Sequence, residues 1–317
     1  METSAHMHRS PSPFHAGEAD AQRRAGVSDV AQQRGRSIRD SMPDQHRAFF
    51  AQLPFIVLGG IDERGQPWPS LRVGAPGFVS SPDARTLRIA GAPLPGDPLH
   101  DAWRPGALAG GLGIELPTRR RNRVNGVVTS IDRGVLALSV EQSFGNCPQY
   151  IQSRTPVPVE PAARAASVTC ATGLDDADRA LLSHADTFFI ATGATAESAA
   201  AARGLDVSHR GGPPGFVRVD GPHQLTVPDY SGNHFFNTIG NLLVEPRAGL
   251  LFIDFASGDL LYVAARAEVL WDSPDARTFR GARRLVRFHL HEVRRAARAL
   301  PFRWSAVQYS PKFRTDW

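Results

Sequence analysis

Apolar residues along this chain gather in short runs broken by Gly, Pro and Asp, rather than recurring every three or four positions. Phe55-Ile56-Val57-Leu58-Gly59-Gly60-Ile61 is a continuous apolar stretch of strand length. Asp62-Glu63-Arg64-Gly65-Gln66-Pro67 interrupts it as a turn, and residues 68–73 return, which predicts a hairpin. Further strands are predicted at 78–79, 86–89, 106–116, 123–130 and 135–141. The pattern restarts with 186–193, then 205–208, 216–219, 225–227, 249–255, 260–265, 267–271 and an alternating run over 284–293. Helical spacing is predicted over 37–53, 175–185 and from Asn237, where Ile239, Leu242 and Leu243 share a face. Short helical pieces are expected at 150–152, 275–281 and 294–300, and a hairpin tip or short helix at 194–203. Short strands at this spacing point to small barrels rather than βαβ units, so the expected fold class is mainly β, a β-barrel with a few helices.

The two runs of strands echo each other. Gly74-Ala-Pro-Gly-Phe-Val aligns with Gly212-Pro-Pro-Gly-Phe-Val, and at the same offset Leu87-Arg-Ile aligns with Leu225-Thr-Val. Pro54-Phe-Ile-Val precedes the first and Phe188-Phe-Ile-Ala the second. Two tandem barrels are therefore predicted: 37–152 as the first and 175–300 as the second. Residues 1–36, polar with few large apolar side chains, read as a flexible tail. Residues 153–174 read as a linker and 301–317 as a C-terminal tail.

Composition narrows the chemistry. Hydrophobic residues make up 42% and charged residues 21%, an ordinary globular balance over 317 residues. The isoelectric point is about 9.8, and Lys312 is the only lysine, so the positive charge is carried by arginine. A basic surface admits phosphate ligands or nucleic acid. The run Arg119-Arg120-Arg121-Asn122-Arg123 lies between two strands with no interleaved aromatic residue to stack on bases, so a solvated hairpin turn is expected and nucleic acid is not. Cys147 and Cys170 have no metal-ligand spacing, and Cys147, with no His or Lys beside it, reads as a packed thiol. His289 and His291 could pair on a metal, but no third ligand is evident and no metal site is expected. His46 reads as an exposed helix histidine. With no apolar signal core and no run of membrane-spanning length, a cytoplasmic protein without a membrane partner is expected.

The richest chemistry lies in residues 204–243. Ser208, Arg210, Arg218, Asn233 and His234 offer hydroxyl, guanidinium, amide and imidazole donors, a set suited to phosphate. Gly232 permits close approach of backbone to a ligand. Ser208 and Asn237 could equally cap a turn and a helix. Arg218 stands on a strand whose other face carries Val217 and Val219, so its side chain points away from that apolar layer. In the first copy Asp97 replaces the donor Asn233, and Ser80 falls opposite Arg218, which marks that copy as the degenerate one. No Ser-His-Asp order, paired-carboxylate signature or Walker loop argues for another reaction.

Asp206-Val-Ser-His-Arg-Gly, Pro214-Gly-Phe-Val-Arg-Val, Pro228-Asp, Gly232-Asn, Asn237 and Asn241-Leu resemble the pyridoxamine 5′-phosphate oxidase-like, FMN-binding split-barrel family, and most closely its flavin-nucleotide-binding subgroup. Ser143-Phe-Gly-Asn-Cys-Pro-Gln-Tyr-Ile is similar to a segment recurring there after the first barrel. The resemblance implies two tandem FMN-binding split barrels and a flavoprotein oxidoreductase of unassigned substrate. A non-catalytic flavin- or haem-binding protein of the same fold is the alternative. It implies FMN beside the second barrel, with phosphate near Ser208, Arg210, Arg218, Gly232 and Asn233. Pro228, Asp229 and Tyr230 would lie along the ring or ribityl chain, with His234 and Asn237 nearby. The Arg-Lys pair usual at the flavin loop of pyridoxamine phosphate oxidase is replaced here by Asn233-His234. Family members pair as dimers, so a homodimer or an internal pseudo-dimer is expected. The substrate would be a small molecule or an electron-transfer partner. No reductase domain is read after Tyr309-Ser-Pro, so a separate reductase is expected.

Overall fold

A computed structural model describes residues 12–159, 167–194 and 204–315. Residues 1–11 of the expected tail, 160–166 of the linker, 195–203 of the expected hairpin tip and 316–317 of the C-terminal tail lie outside the described residues.

The chain begins with helices α1 (Ala16–Arg24), α2 (Ser28–Gly35) and α3 (Asp44–Ala51). Strands β1 (Phe55–Ile61), β2 (Pro67–Val73), β3 (Val79–Asp83), β4 (Thr86–Ile89), β5 (Leu108–Glu115), β6 (Arg120–Asp132) and β7 (Val135–Gly145) follow. Next come β8 (Pro156–Pro158), β9 (Val168–Ala171), α4 (Asp176–His184), β10 (Thr187–Ala194), β11 (Gly204–Gly211), β12 (Arg218–Gly221) and β13 (Gln224–Asp229). The chain ends through α5 (Asn237–Val244), β14 (Arg247–Ile253), β15 (Leu260–Leu270), β16 (Arg284–Ala296), β17 (Phe302–Trp304) and α6 (Lys312–Thr315).

Besides the small β8–β17 pair, the strands form two antiparallel sheets of one topology. The first runs β2-β1-β5-β6-β7-β4-β3 and the second β11-β10-β14-β15-β16-β13-β12, so each strand of one has a counterpart in the other. The hairpin registers agree: Ser80 pairs with Arg88 and Arg218 with Thr226, at the offset of the sequence repeat. Each sheet closes around its own core. Ile56 of β1, Val79 of β3, Ala109 of β5 and Leu138 of β7 meet in one cluster, although β1 and β3 stand five places apart in the sheet order. Phe188, Leu225, Leu250, Val263 and Phe288 do the same in the second. The fold is mainly β, two barrels with few helices.

Strand alternation builds a third apolar layer between the barrels. Ile56 and Leu58 face the first core, while Phe55 and Val57 face the shared layer. Phe188 and Ile190 face the second core, while Phe189 and Ala191 face the shared layer. The backbones approach closely at two symmetry-related points. A Cβ on Gly110 would stand 2.3 Å from the Leu205 carbonyl oxygen, and one on Gly249 would stand 2.2 Å from that of Pro67. Only glycine fits at either crossing.

Several local expectations are corrected. Residues 12–35 are a helix pair packed on α5, not a tail, because His15, Glu18 and Gln22 are buried polar residues that composition counts as solvent-facing. The 153–174 segment contains two strands, β8 pairing with β17 and β9 with β16. Residues 150–152 form no helix, and Tyr150 sits at φ 66° in a turn. Strand β16 continues through Ala296, where pairing with Leu260 overrides the helical propensity of the Arg-Ala run. The Arg119–Arg123 run is a solvated turn only at its start: Arg119 lies in the turn and Arg120 is exposed, while Arg121 is half-buried and Arg123 buried on β6. His46 is half-buried, with Nδ1 2.8 Å from Ser143 Oγ. Among the described residues no helix is long and apolar enough to cross a membrane.

Candidate functional site

Strand β11 runs along the seam between the barrels, and its alternation sends Asp206, Ser208 and Arg210 to one face. The β13–α5 loop folds over that face. Together they open a cavity of about 340 Å³, at the small end of the ~300–1,000 Å³ typical of ligand pockets. Ser208, Arg210, Pro228, Asp229, Tyr230, Gly232, Asn233, His234 and Asn237 all line it. Arg218 does not. Its Nε donates to Asp220 Oδ1 at 2.6 Å and its Nη2 to Asp275 Oδ2 at 3.1 Å, on the outer side of β12.

The lining residues divide into committed and available groups. Ser208 Oγ accepts from Thr238 Oγ1 at 3.1 Å. Asn233 is a loop former: its Nδ2 donates to Asn146 Oδ1 at 2.8 Å and its Oδ1 accepts from Phe235 N at 3.1 Å. That loop carries two left-handed non-glycine residues, His234 at φ 70° and Phe236 at φ 62°, a conformation that costs energy and recurs at ligand sites. Asn237 does not cap α5, because Phe236 occupies the N-cap with no side-chain cap bond. Instead Asn237 Oδ1 accepts from Arg123 Nη1 at 3.1 Å, and its Nδ2 donates to Glu18. Arg123 is committed as well, its Nη2 bonding Asp206 Oδ1 at 2.6 Å across the barrel seam.

The available groups are cationic or donors. Arg121, lent by the first barrel, has Nη1 3.1 Å from His209 Nδ1, and its Nε is buried with no partner among the described residues. Burial, with Arg123 and Arg210 close by, pushes its guanidinium down to about 10. Burial first, then Arg121 and Arg210, holds His209 far below the usual imidazole range, so the ring is neutral. With Nδ1 accepting from Arg121, the ring proton sits on Nε2, a buried donor that also lacks a partner. The Arg284 guanidinium stands over Phe236 and Trp271, its central carbon 4.8 and 4.6 Å from the ring centroids. Its Nε is 3.1 Å from Asp229 Oδ2 but misaligned, and both Nε and Nη1 remain unsatisfied. Arg210 donates to the other Asp229 oxygen at 2.5 Å. Five arginines (Arg121, Arg123, Arg210, Arg283 and Arg284) thus line a cavity in which Asp229 is the one lining carboxylate among the described residues.

An aromatic wall completes the cavity. Tyr150 and Tyr230 stack at 5.2 Å, and the Tyr150 hydroxyl donates to the Ser231 carbonyl at 3.0 Å. Burial, with Tyr150 beside it, pushes the Tyr230 phenol up. Phe216 and Phe236 add apolar surface. Buried donors without partners cost free energy unless a ligand satisfies them. The arrangement is suited to an anion carried on a flat or apolar body.

Sequence reasoning missed Arg121, Arg123, His209, Arg283, Arg284 and the N-terminal helix pair. One signal was present: read as a strand, the arginine run places Arg121 and Arg123 on one face by their spacing of two.

No protein-family model and no curated protein matches the chain. Among solved structures it is similar to a candidate pyridoxamine 5′-phosphate oxidase from Lactobacillus delbrueckii, at 20% identity and TM-score 0.30, over 39% of this chain and 94% of that one. It is also similar to an FAD-binding protein from Mesorhizobium loti, at 14% identity and TM-score 0.29, over 41% of this chain and 98% of that one. HupZ from Group A Streptococcus matches at 11% identity and TM-score 0.29, over 37% of this chain and 90% of that one.

Proposed function

We propose that the chain binds FMN in the cavity between its barrels and acts as a flavin-dependent oxidoreductase. The observation that carries this reading is the grouping of Arg121, Arg210, Arg283 and Arg284 around one cavity beside stacked tyrosines, with buried donors on Arg121, His209 and Arg284 that have no partner among the described residues. Phosphate accepts several charge-assisted hydrogen bonds at once and suits such a set. The motif resemblance between residues 206 and 242 supports a flavin as its carrier. Arg121, Arg210 and Arg284 would hold the phosphate, with Gly232 letting backbone approach. Tyr150, Tyr230, Phe216 and Phe236 would flank the apolar body and exclude water. When bound, the flavin supplies the electron transfer, and the protein supplies position and field. The ring of arginines stabilises negative charge on whatever is bound, the more so because burial weakens screening. Because Arg121 comes from one barrel and Arg210 from the other, the chain acts as its own pseudo-dimer, and one copy is expected to suffice.

The visible spectrum of the purified protein, with flavin identified after heat release, tests the cofactor. Oxidation of reduced nicotinamide, alone and with a flavin reductase, tests turnover. A flavin band without turnover would leave a binding protein. A haem band, or no FMN binding by fluorescence titration, would overturn the flavin reading.

A further inference from the structure

The turn between helices α1 and α2 walls the cavity on one side, and the helices dock chiefly through polar contacts. Between them they contribute little large apolar surface: Ala21 enters the second core, and Phe14, just before α1, packs with Phe144 and Phe235. Small residues permit the contact with α5. A Cβ on Gly17 would stand 2.2 Å from the Gly240 carbonyl oxygen, and one on Gly240 would stand 2.6 Å from the Glu18 backbone. The rest is a buried polar network. His15 Nε2 lies 2.8 Å from Asn241 Oδ1, Gln22 Nε2 donates to the Phe235 carbonyl at 3.1 Å, and Glu18 accepts from Asn237. Asn237 in turn accepts from Arg123, which pairs with Asp206.

This pair of helices also reaches the ligand side. The α1–α2 turn places Ala25 and Val27 in the cavity wall, and Arg34 Nη1 donates to the Asn233 carbonyl at 3.3 Å. Segments held by few apolar contacts sit at the low end of local stability and open before the core does. The polar network includes Arg123 and Asn237, which themselves line the cavity. Docking of the helices and occupancy of the cavity therefore share residues.

We propose that residues 12–35 form a detachable strap, which retains the ligand when docked, opens the cavity when released, and binds the tighter the more fully the cavity is occupied. The ligand half of this statement rests on the flavin reading; the detachment half does not. Coupling between the two is reciprocal, so whatever factor FMN adds to strap docking the strap adds to FMN binding.

Proton uptake tunes the latch. Burial first, then the nearby Asp206 carboxylate, raises the Glu18 carboxyl to about 8. The charged and titratable groups around it are His15 on its own segment, Asp206 on β11 and Arg123 on β6. Burial keeps His15 below its ordinary value. An acid whose docked pKa exceeds its free value binds a proton on docking. Docking is therefore strongest below the free value and weakens by up to about tenfold per pH unit until the docked value is passed.

Hydrogen exchange of the full chain, read as protection factors between pH 6 and 9, tests both halves. In the ligand-free protein the strap amides should exchange at least tenfold faster than those of β14–β16, and increasingly so as pH rises. Glu18→Gln should remove the pH dependence and keep the strap docked. Glu18→Lys, which sets a cation against Arg123, should release the strap while β14–β16 stay protected. FMN should slow strap exchange, and Glu18→Lys should speed FMN release by tenfold or more. Strap protection equal to that of β14–β16 at every pH, or Glu18→Lys unprotecting the barrels as well, would overturn the strap. If FMN fails to bind while the strap still detaches as described, the flavin reading falls and detachment stands. If FMN binds without altering strap exchange, the coupling falls.

Discussion

The pseudo-twofold arrangement creates two equivalent clefts, one open and one filled by apolar side chains among the described residues. Each begins the same way: Ser208 and Arg210 on β11 correspond to Ser70 and Arg72 on β2. They diverge in what the opposite barrel lends. By strand register, Arg121 and Arg123 of β6 correspond to Leu260 and Tyr262 of β15. The open cleft therefore receives two guanidiniums, and the closed one a leucine and a phenol that pack with Leu94 and Leu99 in the shared apolar layer. Asp206, which pairs with Arg123, has Trp68 as its counterpart. Where helix α5 leads into the open cleft, the β4–β5 connection brings Asp97, which accepts from Ser70 Oγ at 2.6 Å and from Leu99 N at 2.9 Å. Arg72 turns to the Gly91 carbonyl at 3.0 Å. A shared strand position does not make a site; the residues lent across the seam decide.

The largest effect should come from emptying the open cleft of its lent and flanking cations. Each charge-assisted hydrogen bond contributes about 1.5–3 kcal/mol, so Arg121→Met with Arg284→Met should weaken FMN binding by about a hundredfold or more. Arg72→Met, the same chemistry in the closed cleft, should leave affinity unchanged. The free protein should respond the other way. Arg121 Nε is buried and the side chain has no carboxylate partner among the described residues, so Arg121→Met should raise the melting temperature in the absence of ligand. Fluorescence titration and calorimetry on the same three proteins separate these outcomes. A fall in both affinity and Tm for Arg121→Met would show a structural rather than a ligand-holding arginine.

The closed cleft should fail in the opposite sense. Tyr262 is wholly buried, and its hydroxyl has no partner among the described residues. Truncating a large buried aromatic typically costs on the order of 3–5 kcal/mol. Tyr262→Ala should thus lower stability by roughly that amount in urea unfolding while FMN affinity per folded molecule holds. Tyr262→Phe, which removes an unsatisfied hydroxyl from an apolar layer, should be neutral or stabilising. Loss of FMN binding in Tyr262→Phe would mean that the two clefts are energetically linked.

Why one cleft could be found in the sequence and its construction could not follows from distance along the chain. The barrels were legible because turn residues and strand alternation are local, and the Gly-x-Pro-Gly-Phe-Val repeat is literal. Residues 208 to 237 fall within one continuous stretch, so their grouping needed no long-range information. Arg121 and His209, by contrast, stand 88 positions apart and meet only after two sheets have packed. The strap was hidden for a different reason. Its buried polar side chains are His15, Glu18 and Gln22, which read as solvent-facing until each is seen to bond a partner more than 200 residues away or within its own cap.

The smallest expected effect belongs to Arg218, which strand alternation alone would select as a phosphate ligand. Alternation sends the side chain off the apolar face correctly, but the side it reaches is the outer one. There it bonds Asp220 and Asp275 and lies 5.4 Å from the Phe279 ring centroid. With about a third of the side chain exposed, such ion pairs contribute ~0–1 kcal/mol. Arg218→Ala should shift Tm slightly downward and keep FMN affinity within about twofold, which titration against the parent resolves. Ser80, its counterpart in the first barrel, carries no charge, so Arg218→Ser copies the closed cleft's hairpin into the open one. If the open cleft owes its character to residues lent across the seam, that exchange leaves binding intact. A tenfold loss in either variant would place the β12–β13 hairpin in contact with the ligand and move the distinction between the clefts from the seam to the hairpins.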